Sequence, residues 1–213
     1  PTSPWSMSPG PTLAARIRSS ALEVEEATRL LLAITQTLAR VHAAGVLHRD
    51  LKPANVILDS RTGLPRVSDF GLARDPTLIR SLTQTGEALG TPGYMAPEQV
   101  RAEKGLDARV DVYALGAIYF ECLTGRRPHV AGTVLELFDM ITKQSAPPPS
   151  LLCPGLDPRI DGICARALAR DPNDRYLDCS ALAQDLEEIL SGPDASGPRA
   201  RRSAAAPAIA LAL

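Results

Sequence analysis

The sequence predicts a mainly α-helical lobe carrying a few short β-strands. Three observations lead there. From Glu23 to Ala44 the apolar residues Ala27, Leu30, Leu31, Ile34, Leu38 and Val41 recur at steps of three and four, the spacing of one helix face. From Asp107 to Thr124 the chain is apolar almost all round and closes on Gly125, as a buried helix does. The candidate strands, Val46-Leu47, Val56 to Leu58 and Leu64 to Val67, are all short. With 213 residues, 45% of them hydrophobic, the chain can bury a sizeable core as one domain.

In chain order, Pro1 to Pro11 holds four prolines among Ser, Thr and Gly, which suits neither a central strand nor a helix. Residues 1–10 are therefore expected to be a poorly ordered lead-in, and a first residue other than Met reads as a fragment or trimmed product. The helix from Glu23 starts on Ser20 or an acidic residue nearby and stops at Gly45, a left-handed C-terminal position. His42 near its end reads as a satisfied boundary histidine. Asp59 to Gly63 is a turn joining the second and third strands. Asp69 to Glu98 is rich in hydroxyls with little periodicity, as in a mobile loop.

Beyond the buried helix, Gly125 to Pro128 is a turn, Val134 to Thr142 a short amphipathic helix, and Pro147 to Pro149 a rigid connection. Asp157-Pro158 pairs a cap with a first-turn proline and opens a helix to Ala169. Asp178 or Ser180 starts the last helix, with Leu182, Leu186, Ile189 and Leu190 on one face, and Ser191-Gly192-Pro193 ends the fold. Residues 191–213 are expected to form a disordered Ala/Pro-rich linker. The alternative is the start of a juxtamembrane segment, because Arg199 to Arg202 precede an apolar run.

Composition removes several function classes. A formal net charge of −1 argues against a nucleic-acid surface. Cys122, Cys153, Cys164 and Cys179 show no paired or metal-ligand spacing, so neither a zinc site nor a disulfide framework is indicated, and a reduced, cytoplasmic setting fits. No signal peptide opens the chain, and no apolar run reaches the roughly 20 residues of a spanning helix. Membrane association enters only if a parent chain continues past Leu213.

The chemistry concentrates in two stretches, His48 to Asn55 (HRDLKPAN) and Ser68 to Gly71 (SDFG). Asp50 is a carboxylate able to accept the proton of an attacking hydroxyl. Asn55 and Asp69 offer hard oxygens to magnesium, and Lys52 an ammonium for a phosphoryl group in flight. Asp50 and Asn55 lie on one short loop before the apolar strand Val56 to Leu58, which holds base and metal ligand at one mouth.

These stretches, followed by GTPGYMAPE at Gly90 to Glu98, DVYALG at Asp111 to Gly116 and DPNDRY at Asp171 to Tyr176, resemble the large lobe of eukaryotic-type protein kinases, bacterial members included, over residues 11–190. The resemblance implies a protein-kinase-like C-terminal lobe with the N-terminal β lobe absent, since no Gly-rich loop, strand lysine or partner glutamate is recognisable. It implies ATP and Mg2+ as cofactors and Ser/Thr hydroxyls of proteins as acceptors. Asp50, Lys52 and Thr91 are then catalytic, with the Thr91 hydroxyl bonding Asp50 and Lys52. Lys52, Asn55, Ile57 and Asp69 bind the nucleotide, Asn55 and Asp69 through metal and Ile57 beneath the adenine. His48, Phe70 and Asp111 form part of an internal column, with Asp111 accepting from backbone N–H groups near His48 and Arg49. Arg49 grips a phosphate on the loop, for which Thr83 and Thr85 are candidate acceptors. Glu98 pairs with Arg175, and Tyr94 and Pro97 shape the peptide floor.

The resemblance also implies that, without a phosphate-covering loop, the lobe is weak or inactive alone. It implies too that Ile57, Leu58 and Phe70 are more exposed than in a whole kinase, which favours association. A non-catalytic binding module derived from such a lobe is the alternative. A small-molecule phosphotransferase would share the catalytic Asp and metal Asn but not the GTPGYMAPE and DVYALG stretches.

Overall fold

The structure is a computed structural model and describes residues 10–70 and 92–192. Its helices are α1 (Leu13–Ser19), α2 (Val24–Ala43), α3 (Pro97–Val100), α4 (Arg109–Thr124), α5 (Val134–Lys143), α6 (Pro158–Ala167) and α7 (Cys179–Leu190). Between α2 and α3 lie strands β1 (Val56–Leu58) and β2 (Pro65–Val67), paired antiparallel with Val56 opposite Val67. This hairpin is the sheet of the described residues. A mainly α lobe with little β structure is the class the sequence predicts.

The buried helix α4 organises the rest. Its residues from Val110 to Phe120 are all buried, because α2, α6 and α7 cover one side and α3 and α5 the other. Gly116 lets α6 approach: a Cβ there would lie 2.7 Å from the Ala167 Cβ and 3.1 Å from the Leu168 Cγ. Gly125, at φ 69°, caps the end and sends its N–H to the Glu121 carbonyl at 2.8 Å. α2 lies against α4 through Ala27, Leu31, Ile34 and Leu38, and a Thr28–Tyr119 hydroxyl bond of 2.7 Å closes the pair.

Local chemistry explains most boundaries. Thr12 caps α1 through Ala15 N–H at 3.2 Å, Thr133 and Glu136 exchange side-chain and backbone bonds at the start of α5, and Asp178 accepts from Ala181 N–H at 2.9 Å before α7. Asp157 caps α6 with Pro158 at its first position. At α2 the cap position falls to the acidic alternative, Glu23, which makes no side-chain cap bond.

Val46-Leu47 is not a strand. After Gly45 turns at φ 76°, the Val46 N–H bonds back to the Val41 carbonyl at 3.2 Å, so this segment completes the helix end and has no strand partner. Leu64 likewise belongs to the Asp59 turn, its carbonyl accepting from Asp59 N–H at 3.0 Å. Among the described residues no helix is long and apolar enough to cross a membrane. The lead-in to Pro9 and the tail from 193 lie outside the described residues.

Candidate active site

The site is built on the loop between α2 and β1. α4 presents Asp111 to it at 1% exposure, where a bare carboxylate would be costly. Its oxygens are met instead by His48 N–H at 2.8 Å, Arg49 N–H at 2.8 Å and the His42 imidazole Nε2 at 2.8 Å. The backbone contacts expected of Asp111 are present, and His42 is a further partner. The Cys179 Sγ lies 3.6 Å from His42 Nδ1. With the thiol donating there, Nε2 carries the ring proton that faces Asp111. Burial pushes the Cys179 thiol up, which keeps it protonated.

His48 is buried between the two halves of the site. Its Nδ1 accepts from Asp50 N–H at 3.3 Å and its Nε2 donates to the Ser68 carbonyl at 2.9 Å, which fixes the tautomer and ties the loop to the strand leading to Asp69. Phe70 packs beside it, ring centroids 4.9 Å apart at 54°.

The β hairpin brings the two motif stretches together. With Val56 opposite Val67, Asn55 and Ser68 come next in register, and Ser68 N–H bonds the Asn55 carbonyl at 2.9 Å. The Ser68 hydroxyl reaches both that carbonyl and an Asp69 oxygen, each at 3.2 Å. Asn55 and Asp69 thus stand at the same end of the hairpin, Asn55 nearly buried and Asp69 exposed. The Asn55 Nδ2 donates to the Asp50 carbonyl at 3.0 Å, which orients the amide. Lys52 Nζ sits 2.9 Å from Asp50 Oδ2, with both side chains about one fifth exposed at 20% and 23%.

An amide and one carboxylate suit magnesium, which is held by few protein oxygens and completes its shell with water and phosphate. Ile57 is half-buried on β1, and Thr12 forms an isolated bridge to it.

On the far side of the loop, α3 is fixed by buried charge. The expected Glu98–Arg175 pair is present and doubly bonded, at 2.7 and 2.8 Å, with the Arg175 side chain fully buried. Arg175 also donates to the carbonyls of Ala169, Arg109 and Arg170 and lies 5.0 Å from the Tyr113 ring centroid. Tyr94 donates to Glu121 Oε2 at 2.6 Å, and burial pushes the pKa of both groups up, which favours their neutral forms.

Thr83, Thr85, Thr91 and Gly71 lie outside the described residues. Leu58 and Phe70 are half-buried, Leu58 beneath Pro11, whose carbonyl takes its N–H at 2.9 Å. The largest apolar exposures fall elsewhere, at Leu177, Leu135 and Leu151. Sequence reading missed His42 as a partner of Asp111, for which helix periodicity carries no signal. It also missed Gln99, whose signal was present: a Gln at the third helical position behind Ala96-Pro97, where side chains reach back to the cap N–H.

The description of the protein kinase domain family matches residues 6–186. The serine/threonine-protein kinase PknL of Mycobacterium tuberculosis is 40% identical over 170 residues, covering 78% of this chain and 42% of PknL. PknB of Mycobacterium leprae is 34% identical over 175 residues, covering 82% of this chain and 28% of PknB. Among solved structures, the Mycobacterium tuberculosis PknI kinase domain superposes with TM-score 0.66 at 29% identity, covering 84% of this chain and 62% of that one. The chain spans less than half the length of these two curated relatives.

Proposed function

The chain belongs to the protein kinase domain family, and on that premise we propose that it is the large lobe of a bacterial-type serine/threonine protein kinase. The parent's reaction is transfer of the ATP γ-phosphoryl group to Ser or Thr hydroxyls of proteins. The single observation that carries this reading is the joined loop: Asp50 held against Lys52, Asn55 bonded to the Asp50 carbonyl, and Asp69 brought to Asn55 through Ser68.

In this reading Asp50 orients the acceptor hydroxyl and takes its proton. Lys52 shares its charge between Asp50 and the phosphoryl group, and Thr91 adds a hydroxyl to the pair. Asn55 and Asp69 are the residues that would hold Mg2+, which when bound neutralises charge on the phosphates. Ile57 supports the adenine. Arg49 and the hydroxyls of Thr83 and Thr85 belong to loop ordering by phosphorylation. Residues 11–190 form the catalytic lobe, with 1–10 as lead-in and 191–213 as linker, and the setting is cytoplasmic. Chemistry of this kind depends on positioning, so the lobe by itself is slow.

The test is transfer of label from γ-labelled ATP to a Ser/Thr-containing protein, comparing the chain with Asp50→Asn. Label above background that falls at least about a hundredfold in the variant is expected, the usual order for loss of a general base. Equal labelling by both would contradict the role of Asp50.

A further inference from the structure

Arg49 is a non-glycine residue at φ 64°, immediately before Asp50. A side chain bearing a Cβ avoids that region unless its surroundings enforce it. Both ends of the residue are held. Its N–H goes to Asp111 Oδ1 at 2.8 Å, and its carbonyl accepts from Gln99 Nε2 at 2.8 Å. Gln99 is 8% exposed, and its Oε1 is occupied by the Ala96 N–H at 3.0 Å. The two ends of the amide therefore do different work: the oxygen caps α3, and the nitrogen reaches the loop. A cap alone needs only an acceptor, so the nitrogen's contact is what a glutamate would not supply.

We propose that Gln99 is a positioning residue that ties α3, the helix at the peptide floor, to the loop carrying Asp50, and so holds the left-handed Arg49 backbone that aims Asp50. Its consequence for catalysis rests on the kinase reading, whereas the tether itself does not. α3 is in turn anchored by Glu98 on Arg175. A displacement of the peptide floor therefore pulls on the Arg49–Asp50 peptide through one hydrogen bond. The space between these elements, lined by Arg49, Asp50, Tyr94, Met95 and Gln99 among others, is a cavity of about 10 Å3. It admits at most a single water.

The experiment is site-resolved amide hydrogen exchange on the whole chain, on Gln99→Glu, which keeps an acceptor for Ala96 and turns a like-charged oxygen to the Arg49 carbonyl, and on Gln99→Met, which removes both contacts at similar volume. In Gln99→Glu, exchange at Arg49 and Asp50 is expected to speed by about tenfold while Ala96 stays within about twofold of the parent. Gln99→Met is expected to speed all three. Rates at Arg49 and Asp50 that match the parent, or that rise no more than at a remote core amide such as Leu182, would overturn the tether. If Gln99→Glu does not fold, the same comparison in Gln99→Met decides. Exchange needs neither nucleotide nor turnover, so failure of the tether is separable from failure of the kinase reading. Where labelled phosphate transfer is measurable, kcat should fall about tenfold in Gln99→Glu with the peptide KM unchanged. A change in KM alone would contradict a role in aiming Asp50.

Discussion

Arg175 shows what a single residue can cost in this lobe. Its guanidinium is fully buried, neutralises Glu98 and donates to three carbonyls around the start of α4 and the end of α6. Arg175→Met fills the volume but leaves a buried carboxylate and three acceptors without their donor. Such losses cost roughly 3–5 kcal/mol, a large share of the roughly 5–15 kcal/mol that typically holds a domain. Urea denaturation should show that drop, and a midpoint within error of the parent would show that the pair is dispensable. His129 sets a pH dependence of known sign. It is 3% exposed, and burial holds it below the usual imidazole range of 6.5. Below that value the unfolded chain takes up a proton that the folded chain refuses, so the unfolded state binds more protons and stability falls as pH falls. Well above it His129 contributes no slope. His129→Gln should flatten the decline in unfolding free energy between about pH 7 and pH 5.5, and parallel profiles for the two proteins would exclude His129 as a source.

The helices expose the difference between what a sequence spells out and what only packing decides. α2 and α4 were legible because their causes are local: apolar spacing on one, continuous apolarity on the other, and glycines at φ 76° and 69° just past their ends. Val46-Leu47 was misread because two β-branched or apolar residues look like a strand, and nothing local reveals that the Val46 N–H returns to the preceding helix. α3 went unread because four residues carry no periodicity. At Gly116 two opposing effects can be weighed. Alanine is favoured over glycine in a helix by about 1 kcal/mol. Its methyl, however, would stand 2.7 Å from the Ala167 Cβ, and overpacking of a tight core costs roughly 1–3 kcal/mol. Because the obstructing atoms belong to a short side chain and to backbone, steric strain should win. Gly116→Ala is expected to lower the melting temperature, whereas a rise would mean that α4 and α6 separate freely.

For the molecule as a whole, the loop residues proposed for the site can be named from the sequence, because HRDLKPAN and SDFG are contiguous words, whereas His42 and Gln99 lie outside them. The convergence of the two stretches was not legible, since it depends on the Val56–Val67 register and on Ser68 bonding Asn55 and Asp69 together. The tautomers of His42 and His48 likewise follow from partners far away in sequence. Of the cleft-face residues expected to be exposed, Ile57, Leu58 and Phe70 are half-buried, with the Pro11 carbonyl bonded to Leu58 N–H and His48 packed beside Phe70. The central claim is that Asn55 and Asp69, set beside Asp50 and Lys52, manage magnesium and a triphosphate. Its most direct measurement is the thermal stability of the chain in millimolar ATP with and without Mg2+, repeated in Asp69→Asn. A ligand at a hundred times its Kd stabilises by about 2.7 kcal/mol, several degrees for a lobe of this size. The account predicts stabilisation that requires Mg2+ in the parent and disappears in Asp69→Asn, and it would be contradicted by no shift in the parent or by an equal Mg2+-dependent shift in the variant.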